Sequence, residues 1–494
     1  MKIIKALMLV FGLLLIISNP NGLSAQTQST EQIDSTYSEE DCYISGVKTS
    51  LRCYSIERPL YEGSDEATLL KGVIVPSRAA APEKDPLVII AGGPGQAASD
   101  TVAMLRSSFS GIRSVRDIIF FDIRGTGMSA PIVCDVEDDE IDPLTYSPIE
   151  ETITRMGECY NENSAVLSSF STKTAVEDLE HLRQAMGLDQ INLWGGSYGT
   201  RLVQYYLYLY PENARSAILD SVVPFTPSYI ALQPRHGKDV LEKLTNDCAA
   251  DDICSSVYKD FDPIKLLNQI GAEQNINYTH PVTGELVNTT TSRDTVAQII
   301  FSAIYSPSGR SFVPYALTQA VLKNNWAPMS VLSTQIDKYM GQRSIYMATH
   351  LSITCAEESA AINTDATLDD QFFNGSTLTM FKALCQFWPV AKQALPRPEQ
   401  NQITVPTVMI SGSYDPITPP QLAEHALGSF QNARHIVIEN GGHINSTTLC
   451  VKSFITKFIK TPNDPELEPK CEDGSYVPEF VVGPNANVQL GDGK

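Results

Sequence analysis

The sequence predicts an α/β fold: a mostly parallel central sheet with helices on both faces, interrupted by an inserted, mainly helical cap domain. Three observations carry this. Short, nearly continuous apolar runs such as "PLVII" (86–90), "DIIFF" (117–121) and "INLWG" (191–195) alternate with segments of helical period. Strands that are apolar on both faces belong to parallel sheets covered on both sides. The runs pass into glycine-rich turns, "AGGPG", "DIRGTG" and "GGSYG", at the strand ends where open α/β sheets assemble sites. From about residue 224 to residue 394 the alternation stops and the pattern becomes largely helical with proline breaks, before strands return in "PTVMISGSYD" (406–415) and "RHIVIENGGH" (434–443).

Taken in order, residues 1–25 read as a signal peptide. Lys2 and Lys5 precede an apolar run from Ala6 to Ile17, followed by Asn19, Pro20 and small residues up to Ala25. The run is shorter than the roughly 20 residues of a membrane span, so the expectation is export with no stable membrane insertion after cleavage. Residues 26–40 are polar and acidic without periodicity and are expected to be a disordered leader. Residues 41–223 form the first part of the core, with "LLKGVIVP" as a further strand. In "TKTAVEDLEHLRQAMG", Val176, Leu179, Leu182 and Met186 fall at helical spacing, Thr174 and Glu177 suggest a capping box, and Gly187 a stop. Residues 224–394 are the cap, 395–460 the second part of the core, and 461–494 a surface tail rich in Pro, Asp, Glu and Gly.

The formal charge is −21, and loss of Lys2 and Lys5 with the signal takes it to −23. A chain this acidic is a poor partner for nucleic acid. The ten cysteines fall into local couples: Cys42 with Cys53, Cys134 with Cys159, Cys248 with Cys254, Cys355 with Cys385, and Cys450 with Cys471. In an exported chain they read as disulfides. Spacing alone leaves the connectivity open, although sequential pairing closes the shortest loops. No couple has the cysteine–histidine spacing of a zinc site, so no metal is expected.

"GGSYG" (195–199) carries the chemistry. A Gly-x-Ser-x-Gly pattern between a strand and a helix is the nucleophile-elbow signature, in which a sharp turn lifts a serine hydroxyl above the sheet edge. Acyl transfer also needs a base, a group that orients the base, and donors for the oxyanion. Asp415 and His443 each follow a late strand, so Ser197, Asp415 and His443 are expected to converge, in the chain order Ser–Asp–His. The backbone N–H groups of Tyr198 and Gly93 are the oxyanion-hole candidates, with Gly95 as the alternative to Gly93. A sequon at Asn445 lies two residues past His443, where a glycan would crowd the site, so a bacterial source fits better.

The motifs "GGPG", "DIRGTGMS", "GGSYGT", "GSYDPITP" and "GGH" resemble the prolyl iminopeptidase and tripeptidyl aminopeptidase family over most of residues 42–471. The resemblance implies an α/β-hydrolase fold with a cap, no cofactor, and release of residues from peptide substrates with free N-termini. Ser197, Tyr198, Asp415 and His443 match position by position. Ala91 stands where the family often has a histidine. Tyr198 replaces the tryptophan of the proline-specific enzymes, as in the exported tripeptidyl branch. That branch tends to carry an acidic residue two after a cap cysteine, and "ITCAEES" offers Glu357, with Glu358 beside it, as the anchor for a substrate ammonium. The rival readings are a carboxylesterase with the same triad and a catalytically silent binding protein on the same scaffold.

Overall fold

The computed structural model describes residues 37–61, 63–134, 142–226, 229–340 (side chains to 334), 345–362, 372–388, 396, 398–469, 471 and 479–484. The expected signal peptide lies outside them, as do the leader up to residue 36 and parts of the cap and tail.

The strands of the main sheet are β1 (Ser38–Cys42), β2 (Leu51–Pro59), β3 (Ala67–Val75), β4 (Leu87–Ile90), β5 (Ile118–Phe121), β6 (Ile191–Gly196), β7 (Ala214–Asp220), β10 (Thr407–Gly412) and β11 (Ala433–Ile438). A separate antiparallel hairpin consists of β8 (Gln274–Thr279) and β9 (Leu286–Thr291). The nine strands of the main sheet lie in the order β1-β2-β3-β5-β4-β6-β7-β10-β11. From β5 to β11 neighbouring strands are parallel, and from β1 to β5 they are antiparallel.

The continuous apolar runs are explained by what covers each face. Leu87, Ile89, Ile118 and Phe120 pack against α1 (Val102–Ser108) and α14 (Leu449–Lys460) through Val102, Leu105, Phe454 and Phe458. The alternate residues Val88, Ile90, Ile119 and Phe121 pack against α3 (Thr172–Ala185), α4 (Tyr198–Leu209) and α13 (Pro420–Leu427) through Val176, Leu179, Leu202 and Ala423. With both faces covered, neither parity of the strand can be polar.

The cap is mainly helical, as expected, with the β8–β9 hairpin added. It holds α5 (Tyr229–Ala250), α6 (Asp252–Val257), α7 (Pro263–Leu267), α8 (Arg293–Ala303), α9 (Pro307–Lys323), α10 (Ala327–Met340), α11 (Met347–Ile362) and α12 (Ser376–Phe387). α2 (Ile149–Leu167) joins it: Met156 and Cys159 pack with Ile230, Leu351, Leu384 and Trp388, although α2 precedes β6 in the chain. The packing boundary therefore does not follow the expected break at residue 223.

Three further expectations are corrected. The leader ends before residue 40, because Ser38–Cys42 pairs in full register with β2 and is stapled by the disulfide of Cys42 and Cys53. The cap of α3 is Ser171, whose hydroxyl accepts from Thr174 N at 3.1 Å, while Glu177 pairs with Lys173. The tail beyond 461 is not wholly at the surface. Val481 is buried in the cap core, its N–H donating to Ser311 O and its carbonyl accepting from Tyr258 Oη.

The connectivity that spacing left open is sequential throughout. Besides the bond of Cys42 with Cys53, Cys134 is bonded to Cys159, which ties the loop after β5 to α2. Cys248 is bonded to Cys254, joining the end of α5 to α6, and Cys355 is bonded to Cys385, joining α11 to α12. Cys450 is bonded to Cys471, which fastens the tail to the first turn of α14. No cysteine is free among the described residues. No described helix is long and apolar enough to cross a membrane.

Candidate active site

Ser197 sits between β6 and α4 at φ +55° and ψ −126°. For a non-glycine residue this is a sparsely populated conformation that the surroundings must impose. Its N–H donates to Asp220 O at 2.9 Å, and Thr200 N–H and Oγ1 both donate to its carbonyl. Gly199 is glycine for want of space: a Cβ there would stand 2.4 Å from Ile90 O. The elbow is thus wedged against the end of β4.

The structure brings Asp415 and His443 together. Asp415 Oδ2 accepts from His443 Nδ1 at 2.8 Å and from Thr418 Oγ1 at 2.8 Å, while Oδ1 accepts from Ile417 N and Thr418 N, both at 2.9 Å. Burial would raise the Asp415 carboxyl, but His443 and the Thr418 donors outweigh it and hold it below the usual carboxylate range. Burial acts against a charged His443, yet the Asp415 carboxylate, helped by Asp220, holds the imidazole above its ordinary value. The histidine loop lies beside the serine turn, since a Cβ on Gly196 would come 3.1 Å from Ile444 Cδ1. Asn445 is 1% exposed, its side chain donating to Gly442 O, and has no room for a glycan in the fold.

The loop after β4 abuts Ser197, and Gly92 makes the close approach: a Cβ there would be 2.9 Å from Ser197 Cβ. Gly93, the oxyanion-hole candidate, is glycine for its backbone, at φ +107°. Gly95 faces the cap, its carbonyl accepting from Tyr346 N at 2.9 Å. Tyr198 N lies in the first turn of α4, where backbone N–H groups have no partner within the helix.

The cap grips all three loops. His350 Nδ1 donates to Pro94 O at 2.9 Å, a carbonyl being able only to accept. Lys243 Nζ donates to Ser413 O, and Tyr414 Oη to Asp247. Tyr305 O accepts from His443 N at 2.8 Å, and the Tyr305 ring stands 5.3 Å from the imidazole.

Glu357 and Glu358, on α11, converge on Arg201, one turn beyond Ser197 on α4. Arg201 Nη1 lies 3.3 Å from Glu357 Oε2 and 2.7 Å from Glu358 Oε1, and the three side chains are at most 3% exposed. Thr172 Oγ1 links Glu357 Oε1 to the Tyr198 hydroxyl, which is 2.6 Å away. Two carboxyl groups thus meet one guanidinium in a buried cluster. Burial holds the Glu357 carboxyl above its usual range, and Arg201 and Thr172 offset only part of that rise. Trp388 belongs to the core, its Nε1 donating to Ser352 Oγ at 3.0 Å.

The family described as "alpha/beta hydrolase fold" matches residues 85–365, and that described as "TAP-like protein" matches residues 370–471. The chain belongs to the α/β-hydrolase family. The serine protease Hip1 of Mycobacterium tuberculosis (strain ATCC 25618 / H37Rv) is 25% identical to this hydrolase over 431 residues, 78% of this chain and 80% of its own. The tripeptidyl aminopeptidase of Streptomyces coelicolor is 30% identical over 168 residues, 31% of each chain. Carboxylesterase B of Mycobacterium tuberculosis (strain CDC 1551 / Oshkosh) is 22% identical over 471 residues, 85% of this chain and 86% of its own. The hydrolase thus stands among serine-protease-like and aminopeptidase-like relatives.

Sequence reasoning missed Arg201, Thr172, Asp220, Tyr305 and His350. Arg201 and Asp220 left a signal, each a charge within or closing an otherwise apolar or aromatic run, "RLVQYYLYLY" and "SAILD". Tyr305 left none, because its backbone carbonyl makes the contact. An open groove of about 530 Å³ lined by Asp85, Gln190 and Arg215 lies at the opposite, N-terminal ends of β4, β6 and β7, and its lining holds no serine or cysteine.

Proposed function

We propose that this hydrolase is an exported serine aminopeptidase, releasing residues or short peptides from free peptide N-termini. His443 takes the Ser197 proton, Asp415 holds the imidazole with Nδ1–H toward itself, and Ser197 attacks the peptide carbonyl. The N–H groups of Tyr198 and Gly93 receive the oxyanion. The amine leaves with the proton from His443, and water then hydrolyses the acyl-enzyme. The five disulfides support export.

One observation carries the substrate class: the buried Glu357 carboxyl, held beside Arg201 and linked through Thr172 to the residue after Ser197. A substrate ammonium would pair with it. Glu357→Gln keeps the oxygen that Thr172 contacts and removes the charge. Leaving a buried cation unpaired costs about 2–5 kcal/mol. Peptide kcat/KM should therefore fall roughly 30-fold to several thousand-fold, at tenfold per 1.36 kcal/mol, while a small neutral ester is cleaved within about threefold of the wild-type rate. Parallel losses on both substrates, or none, would remove Glu357 as the anchor. The extended match to carboxylesterase B favours an esterase as the second reading. Equal cleavage of free and N-acetylated peptides would support it.

The acid side of the pH profile follows from His443. As a base it must be neutral, and its pKa is held above the ordinary histidine value, so kcat/KM should rise with pH through a midpoint above about 6.5. Asp415, held low, stays ionised throughout. A midpoint below that value, or a flat profile from about pH 5 to 8, would contradict the assignment.

A further inference from the structure

We propose that Asp220 is a positioning residue that locks the Ser197 turn to the His443 loop and lends a second buried negative charge to the imidazolium. The inference rests on the Ser–His–Asp reading of the site and goes beyond it, because Asp220 touches neither the Ser197 hydroxyl nor the His443 ring.

Asp220 closes β7, where it pairs in register with Gly196 on one side and Ile410 on the other. Its backbone carbonyl accepts from Ser197 N at 2.9 Å. Its fully buried carboxylate accepts from Asn445 N at 2.9 Å and from Ser446 N at 2.7 Å. The next residue, Ser221, takes Ile444 N on its hydroxyl at 2.9 Å. Two consecutive residues at one strand end therefore receive the three N–H groups that follow His443, while the first of them also holds the nucleophile's backbone.

These bonds bind a strained conformation. Ser197, Ser221 and Ile444 have φ of +55°, +64° and +67°, and a β-branched residue such as isoleucine is seldom found there. The loop keeps that shape because acceptors at the end of β7 are waiting for its N–H groups. A neutral acceptor could do this geometric work. A carboxylate does more, since proton transfer from Ser197 creates a cation in a buried site where each nearby negative charge stabilises it. The groups facing His443 are Asp415 and Thr418 from the loop after β10, the Tyr305 ring from the cap, and Asp220 from β7. Only Asp415 and Asp220 among these bring negative charge. Burial holds the Asp220 carboxyl above its usual range, and the Asn445 and Ser446 donors with His443 offset only part of that rise.

The test compares Asp220→Asn, which removes the charge, with Ser221→Ala, which loosens the same loop without changing charge. Both are assayed with p-nitrophenyl acetate, which needs the triad and no ammonium anchor. Asp220→Asn should lower kcat by about 10- to 100-fold and move the acid limb of kcat/KM down by roughly half a unit to one unit. Ser221→Ala should lower the rate with its acid limb in place. An unmoved limb in Asp220→Asn, in an active wild type, overturns the inference alone. A wild type inert to the ester and to fluorophosphonate labelling overturns the triad reading and the inference with it. Should Asp220→Asn not fold, Asp220→Ser, whose hydroxyl can still accept from a backbone N–H, takes its place, with His443 titrated by NMR of histidine-labelled protein. A midpoint below that of the wild type supports the inference, and an unmoved midpoint overturns it.

Discussion

Ser197→Ala is expected to abolish turnover of peptides and esters alike, by about 10⁴-fold to 10⁶-fold, with the fold intact. The bonds that hold the turn are all made by the backbone of residue 197: its N–H to Asp220 O, and its carbonyl to Thr200 N–H and Oγ1. None involves the hydroxyl, so alanine keeps the turn and loses only the nucleophile. Activity and fluorophosphonate labelling are measured beside a thermal melt. More than about 1% residual activity in a variant that melts with the wild type would refute Ser197 as the nucleophile.

Asp415→Asn is expected to cost about 10⁴-fold in kcat, for a reason visible in the hydrogen bonds. Oδ1 receives two backbone N–H groups, from Ile417 and Thr418. An asparagine must keep its carbonyl oxygen there, which turns its NH₂ toward His443 Nδ1 in place of Oδ2. That nitrogen then accepts a hydrogen bond, and the imidazole carries its proton on Nε2, where it cannot take one from Ser197. The variant should fold, with little change at the loop, and be measured with p-nitrophenyl acetate at saturating concentration. A loss under about tenfold would mean that Asp415 does not govern the tautomer.

The candidate triad was legible because each member follows a strand, and strand ends announce themselves in sequence as an apolar run meeting glycine or a turn residue. The disulfide pairs were legible for a similar reason: each couple spans a short loop, from Cys248 and Cys254 at six residues apart to Cys355 and Cys385 at thirty, and sequential pairing is what the structure shows. The acidic pair was legible as a candidate but not as a cluster. Its partner Arg201 is 156 residues from Glu357, and a long, unpatterned separation leaves no local trace. The register of α3 was misread for the opposite reason. Thr174 and Glu177 satisfy a local capping pattern, but Thr172 is drawn into the helix because it is buried against Tyr198 and Glu357.

By itself the sequence determined the layered architecture, the mainly helical character of the cap, and the three side chains on which the proposed chemistry depends. These follow from period, composition and turn residues, which act over a few positions of chain. Only the tertiary structure decided what holds those side chains in place. Asp220 and Ser221 bind the backbone after His443, Tyr305 O supports its N–H, and His350 holds the loop after β4. Most of these contacts have a backbone N–H or carbonyl on at least one side, and every residue but proline offers both groups. Their partners are therefore chosen by where the packed sheet and cap bring the chain, and residue identity along the sequence carries no mark of the choice.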